Sequence, residues 1–262
     1  MKIIDLTPEL EPIYFCCLED WSDDIREAGN HKECWYNQMK HKGLRVKLAK
    51  DDDGSVCGMI QYLPVEYSFA EGKDLYMILC IWVHGHKQGV GNHQKKGIGK
   101  SLLAAAESDA AALGAKGIAA WGLILPFFMR ASWFRKNGYK VADRDGIARL
   151  MWKQFTPDAA KPSFIKFRKK PDLVPGKVNI SLFLNGWCPA QNIVHERTKR
   201  AMEGFEDKIV VNDIRTNDKE VIREWGLSDA VFIDNRSVRT GPPEKYNKIR
   251  RLVEKRVARL NK

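Results

Sequence analysis

Apolar positions along this chain fall into short blocks whose spacing changes several times. Leu44–Lys50 and Val56–Val65 read as two strands, and Asp51-Asp52-Asp53-Gly54 between them reads as a turn. Leu75–Val83 is a nearly unbroken run of apolar and β-favouring residues, the pattern of a buried strand. From Lys100 the chain is rich in Ala and Leu with few interruptions up to Gly114, which predicts a helix stopped by glycine. Gly117–Gly122 reads as the next strand. Beyond residue 178 the order is strand (Val178–Leu184), helix to about Glu203, strand (Lys208–Ile214) and a short helix from Asp218 to Trp225 with Asp218 as its cap. A hairpin across Asn235 follows, then an amphipathic helix over Glu244–Leu260, with Ile249, Leu252, Val253, Val257 and Leu260 on one face.

Charge divides this pattern in two. Residues 1–160 hold 21 Lys/Arg against 20 Asp/Glu, whereas residues 161–262 hold 23 against 13, so nearly all of the net charge of +11 lies in the second part. Between the parts, residues 156–177 carry Pro157, Pro162, Pro171 and Pro175 among basic residues, a segment that breaks both kinds of ladder. The expected organisation is a domain over 1–155, a linker over 156–177 and a domain over 178–262. The basic balance comes without a nucleic-acid motif, so no nucleic-acid partner is expected. No apolar run of about 18–20 residues is present, and no membrane partner is expected. The six cysteines show no Cys-x-x-Cys spacing, and the N-terminus lacks the apolar region of a signal peptide; both point to a cytoplasmic protein with reduced thiols.

The chemistry concentrates where the buried strand meets the Ala-rich helix. Gln94-Lys95-Lys96-Gly97-Ile98-Gly99 runs directly into Lys100-Ser101. A strand, a glycine loop and a helix start bring together unpaired backbone N–H groups and the positive end of a helix dipole, which together bind anions. A P-loop would need glycine at position 94, where glutamine stands, and the dinucleotide fingerprint would need glycine at 102, which is leucine. What fits throughout is Gln/Arg-x-x-Gly-x-Gly/Ala, and in this setting it resembles the pyrophosphate loop of the GNAT family of acetyl-CoA-dependent N-acyltransferases. Ala131-Ser132-Trp133-Phe134-Arg135-Lys136-Asn137-Gly138-Tyr139 resembles that family's fourth helix. The resemblance covers roughly residues 1–155.

It implies an α/β (α+β) fold with a mixed, mainly antiparallel sheet flanked by helices. It also implies acetyl-CoA as acyl donor and an amine of unnamed identity as acceptor, attacking the thioester directly in a ternary complex. Trp82, Val83, Gln94, Lys95, Lys96, Gly97, Ile98, Gly99 and Lys100 are the implied donor-binding residues, with backbone groups dominant. A backbone N–H near Val83 is placed to polarise the thioester carbonyl. Two positions depart from the family: Phe128 stands where an Asn is usual, and Phe134 where a Tyr often protonates the leaving thiolate. Ser132, Cys80, Tyr139 and water are the remaining acids. For the general base, His84 at the end of the buried strand is first choice and Glu66 at the end of the preceding strand is second. His84-x-His86 with a distant His93 lacks a metal-ligand spacing, and no metal is expected. Trp21, Trp35, Tyr36 and the acids Glu19, Asp20, Asp23 and Asp24 are candidates for an acceptor pocket that favours a cation.

In the second part, the element order with Trp187-Cys188-Pro189 ahead of the first helix resembles a small thioredoxin-like α/β domain. The second redox cysteine is replaced by Gln191, and no proline stands near Ser228-Asp229-Ala230. Cys188 is therefore a lone candidate reactive thiol at a helix start. Three functions stay open at this point: an N-acetyltransferase, a non-catalytic acyl-CoA-binding sensor or adaptor, and a thiol-dependent enzyme using Cys188. Whether the chain forms a homo-oligomer is also open.

Overall fold

The structure is a computed structural model that describes residues 1–126 and 128–260. Its strands are β1 (Lys2–Asp5), β2 (Arg45–Lys50), β3 (Val56–Pro64), β4 (Ala70–Glu71), β5 (Leu75–Val83), β6 (Gly117–Leu123), β7 (Lys140–Asp145), β8 (Ala148–Gln154), β9 (Ser163–Phe164), β10 (Val178–Leu184), β11 (Ile209–Arg215), β12 (Ala230–Ile233) and β13 (Arg236–Val238). Its helices are α1 (Glu11–Phe15), α2 (Asp23–Arg26), α3 (His31–Met39), α4 (Ile98–Ala112), α5 (Ala131–Lys136), α6 (Pro189–Met202), α7 (Lys219–Trp225) and α8 (Tyr246–Leu260). The chain separates into two compact units, Met1–Trp21 with Asn37–Ile165, and Ser22–Tyr36 with Lys166–Lys262.

The first unit is built on a seven-stranded sheet in the order β1-β2-β3-β5-β6-β8-β7. Every pair is antiparallel except β5 with β6. A parallel pair needs a crossover, and α4 supplies it. Ile98, Leu102, Leu103, Ala106 and Ala110 recur on one face of α4 and are buried against Ile60, Ile78 and Ile118 of the sheet. That spacing is the amphipathic stripe the sequence carries, and its burial holds the helix in place. The proline-rich segment is held rather than loose at this end: β9 pairs with β4, and Phe164 N–H donates to the Asp143 carboxylate.

The second unit has a four-stranded sheet in the order β11-β10-β12-β13. β10 is parallel to β11 and antiparallel to β12, and as a central strand it is buried along its whole length. The β12–β13 hairpin turns on Asp234 and Asn235 at φ 46° and 59°, the left-handed pair that a tight two-residue turn demands and that Asp and Asn tolerate. Val194 and Ala201 of α6, with Ile249, Val253 and Val257 of α8, cover one face. Trp225, at the end of α7, packs with Phe183 and Phe232 on another cluster. The Asp218 cap of α7 is present: its carboxylate accepts from Glu220 N–H at 2.9 Å.

This unit also takes in α2 and the start of α3, a segment that division by composition assigns to residues 1–155. Arg197 of α6, with only 5% of its side chain exposed, explains why. Its guanidinium binds Asp24 at 2.6 Å and Glu27 at 2.8 Å, so these two acids are the partners of a buried cation.

Candidate active site

The site starts from an irregularity in β5. Against β3, Gln61 faces Cys80 and Tyr62 faces Ile78, so Leu79 is an extra residue, a β-bulge. On the other side, the ladder to β6 ends at the pair Ile78–Ala120. The bulge and the end of the ladder coincide, and beyond them the two strands continue without pairing. The indole N–H of Trp121 reaches across to the Leu79 carbonyl at 2.7 Å. His84 N–H donates to Cys57 on the β3 side at 2.9 Å. Because backbone amides of a strand alternate between its edges, the Val83 N–H points the other way, into the opening.

The loop that follows β5 leads to the start of α4 at the mouth of this opening. Lys95 and Gly97 have φ of 63° and 83°. Gly97 is the N-cap of α4, and an L-residue there would be strained. The Lys100 and Ser101 amides bond the Gly97 carbonyl at 3.0 and 3.1 Å, which leaves the amides of Ile98 and Gly99 as orphan donors of the first turn. A Cβ at residue 99 would lie 3.5 Å from the Trp133 ring and 3.8 Å from Val83, ordinary contact distances. The fold alone does not require glycine at 99; what its hydrogen leaves clear is the approach of a ligand to the backbone. Lys95, Lys96 and Lys100 are exposed around the loop. Gln94 lies over Gly85, where a Cβ would come within 2.2 Å of its amide nitrogen, so the two residues interlock.

His84 is in the expected place but is fully buried. The Trp21 indole N–H donates to its Nε2 at 3.2 Å, and its Nδ1 faces the Gly91 carbonyl at 2.7 Å. The indole fixes the tautomer: Nδ1 carries the hydrogen and donates, and the Nε2 lone pair is already taken. His84 thus pins the loop instead of presenting a base. Glu66 is corrected by topology. β3 is antiparallel to β5, with Gly58 opposite Val83 and Pro64 opposite Tyr76, so the end of β3 lies beside the start of β5. Eight strand residues at ~3.3 Å each put Glu66 about 25 Å from the loop end of the strand.

Two residues that the sequence did not mark as a base stand beside the opening: Glu19, expected in an acceptor pocket, and His86. His86 lies 3.5 Å from the Glu19 carboxylate and is partly exposed. Burial holds the Glu19 carboxyl above its usual range. The His86 ring neighbours Trp21 at 5.1 Å and Trp82 at 6.1 Å, and Phe128 spans Trp82 and Trp121 at 5.9 and 6.0 Å. Trp82 has its indole N–H buried without a hydrogen-bond partner among the described residues. No spacing rule links Glu19 to His86, because they meet only through the fold. Asp24 belongs to the Arg197 ion pair, and Trp35 is buried within the second unit.

Phe134 is fully buried against Tyr139, with centroids 5.3 Å apart, so the position is a core residue with no proton to give. Ser132 is exposed. Tyr139 is buried and its hydroxyl is held well above the ordinary range by desolvation. In the second unit Cys188 is the half-buried N-cap of α6. Later in this unit, Asp229 is half-buried and accepts from Asn185 N–H at 3.0 Å and Ser228 Oγ at 2.7 Å; desolvation of the carboxyl still raises its pKa to about 6. No disulfide links the six cysteines. No helix among the described residues is long and apolar enough to cross a membrane.

Residues 42–141 match the family model described as the acetyltransferase (GNAT) domain. That stretch runs from before β2 into β7 and includes the loop, the opening and α4; it has the GNAT fold and is an acyltransferase domain. No curated protein matches the chain. Among solved structures, the chain is similar to the PaiA N-acetyltransferase from Thermoplasma acidophilum in complex with coenzyme A, with 20% identity, 59% of this chain and 100% of that one covered, and a TM-score of 0.42. It is similar to a GNAT family acetyltransferase from Brucella melitensis in complex with acetyl-CoA, at 17% identity, 61% and 91% coverage and a TM-score of 0.41. It is also similar to aminoglycoside 6′-acetyltransferase type Ii, at 18% identity, 60% and 99% coverage and a TM-score of 0.45.

Proposed function

We propose that the first unit transfers an acetyl group from acetyl-CoA to an amine. The observation that carries this reading is the Gln94–Gly99 loop at the start of α4, set at the mouth of the opening between β5 and β6. Orphan amides at Ile98 and Gly99 suit the donor's pyrophosphate, and the opening suits its extended arm. The Val83 N–H, directed into the opening, hydrogen-bonds the thioester oxygen as negative charge develops there.

The amine must lose a proton to attack. Glu19 and His86 are the groups we assign to take it, directly or through water, in place of His84 and Glu66. The nitrogen forms a bond to the thioester carbon, the carbon–sulfur bond breaks, and the thiolate leaves with the electron pair. Phe134 supplies no acid, and water protonates the thiolate, whose ordinary pKa near ~8.5 makes that step undemanding. The half-open aromatic wall of Trp82 and Phe128 beside a carboxylate favours a cationic acceptor. The second unit reads best as a thioredoxin-like domain with Cys188 alone at the helix start, and the six cysteines suit a cytoplasmic setting.

Calorimetry with acetyl-CoA tests the core of the reading: micromolar binding that weakens at least tenfold in Gly99→Ala is expected, and no binding at high micromolar concentration overturns it. Full burial of Phe134 favours a second reading, an acyl-CoA-binding adaptor without turnover. Acetyl transfer to any member of a broad amine panel excludes the adaptor.

A further inference from the structure

We infer that the second unit holds a divalent transition-metal ion of the zinc class, bound by His31 Nε2, His195 Nδ1 and Glu196 Oε1. This site is independent of the acyl-transfer reading. The three donor atoms all lie within 4.8 Å of one another. His31 Nε2 is 2.7 Å and His195 Nδ1 3.3 Å from the same Glu196 oxygen. A tetrahedral zinc ion with bonds of ~2.0–2.1 Å sets its ligand atoms about 3.4 Å apart, so the His195–Glu196 pair already matches and the His31–Glu196 pair opens by about 0.7 Å to admit it.

Proton accounting favours an ion over a plain hydrogen-bond cluster. The other nitrogen of His195, Nε2, faces Asp213 Oδ1 at 3.3 Å, and Lys199 holds the second oxygen of Asp213 at 3.1 Å. The carboxylate requires a hydrogen on Nε2, which leaves the Nδ1 lone pair directed at Glu196. Two lone pairs facing each other repel unless something positive lies between them. With Asp213 behind it, His195 has the carboxylate–histidine–metal arrangement that orients a ligating imidazole. On His31 the second nitrogen, Nδ1, lies 3.5 Å from Arg215. Metal binding at Nε2 places a hydrogen on that Nδ1, and the half-exposed Arg215 turns to Asp213, 3.9 Å away.

His31 and Glu196 keep 16% and 29% of their side chains exposed, so an ion has a path in and the fourth position opens to water. His31 starts α3 while His195 and Glu196 are neighbours on α6, so the ion ties the Ser22–Tyr36 segment to α6 within this unit.

The test is zinc calorimetry and cobalt absorption spectroscopy on the full chain after treatment with a chelator. Expected are one zinc ion per chain with micromolar or tighter affinity, and visible cobalt bands of a tetrahedral nitrogen–oxygen site. Affinity falls at least tenfold in His31→Ala and in Glu196→Gln, whose side chains are partly exposed and whose metal-free folding is checked by circular dichroism. Asp213→Asn weakens binding about tenfold through His195. His93→Ala, which removes the Asp51–Cys57–His93 grouping elsewhere in the chain, leaves binding unchanged. Absence of zinc binding, binding unaffected by both His31→Ala and Glu196→Gln, or loss of it in His93→Ala overturns the inference.

Discussion

At the scale of residues, the two loop glycines make separable predictions. Gly97→Ala forces an L-residue to φ 83° and is expected to cost about 1 kcal/mol of stability as well as donor affinity. Gly99→Ala meets only ordinary contacts, so its melting temperature stays near that of the parent while acetyl-CoA affinity falls. Calorimetry paired with thermal unfolding checks both. The two histidines after β5 separate in the same manner. His84→Ala strips partners from the Trp21 indole and the Gly91 carbonyl, and unfolding should register a loss of about 1–3 kcal/mol. Glu19→Gln should leave stability nearly intact, lower kcat by tenfold or more and remove the ascending limb of the pH–rate profile. A full rate with the parental profile in Glu19→Gln returns the base to another group.

At the scale of elements, the Arg197 ion pair decides where the N-terminal helices belong. Removing the guanidinium leaves Asp24 and Glu27 without their cation, and Arg197→Ala should destabilise the second unit by about 2–4 kcal/mol. Hydrogen exchange over residues 22–36 measures it directly: those amides should exchange faster while the β5 amides keep their protection. Strand and helix identities were legible in the chain because alternation, apolar runs and glycine stops act within a few residues. The α4 stripe, the α7 cap at Asp218 and the turn after Ile233 are of that local kind. The bulge at Leu79 was not, since it exists only as a mismatch between β5 and β3. The same reason defeated Glu66, whose remoteness from the loop follows from strand direction and not from spacing.

For the whole molecule, net charge and pH bear on stability through few groups. Asp229 has a folded pKa of about 6 against an ordinary value near 3.8, so the folded state binds more protons than the unfolded one between those limits. Stability contributed by its protonated form is full below about pH 4 and is lost as pH rises through about 6, a change of about 3 kcal/mol. Asp109 behaves oppositely. The Arg45 guanidinium and Tyr62 hydroxyl overcome its burial and hold it at about 2, so its stabilisation is present near neutrality and lost only as pH falls toward 2. Denaturant unfolding from pH 4 to pH 7 should therefore decline in the parent and flatten in Asp229→Asn.

By itself, the order of residues determined the strand Leu75–Val83, the helix that follows the glycines, and the standing of the loop between them as a candidate anion site. A phosphate cradle is made from consecutive backbone amides, and consecutive residues specify those. It also determined the absence of the Tyr that often serves as acid, since Phe134 is legible without any coordinates. Only the tertiary structure decided which side chains meet there. Glu19 and His86 converge, His84 is sealed by Trp21, and His31 reaches His195 and Glu196 across more than 160 residues of chain. Side-chain chemistry depends on distances of a few ångströms, and sheet register and helix packing set those distances between residues far apart in the chain.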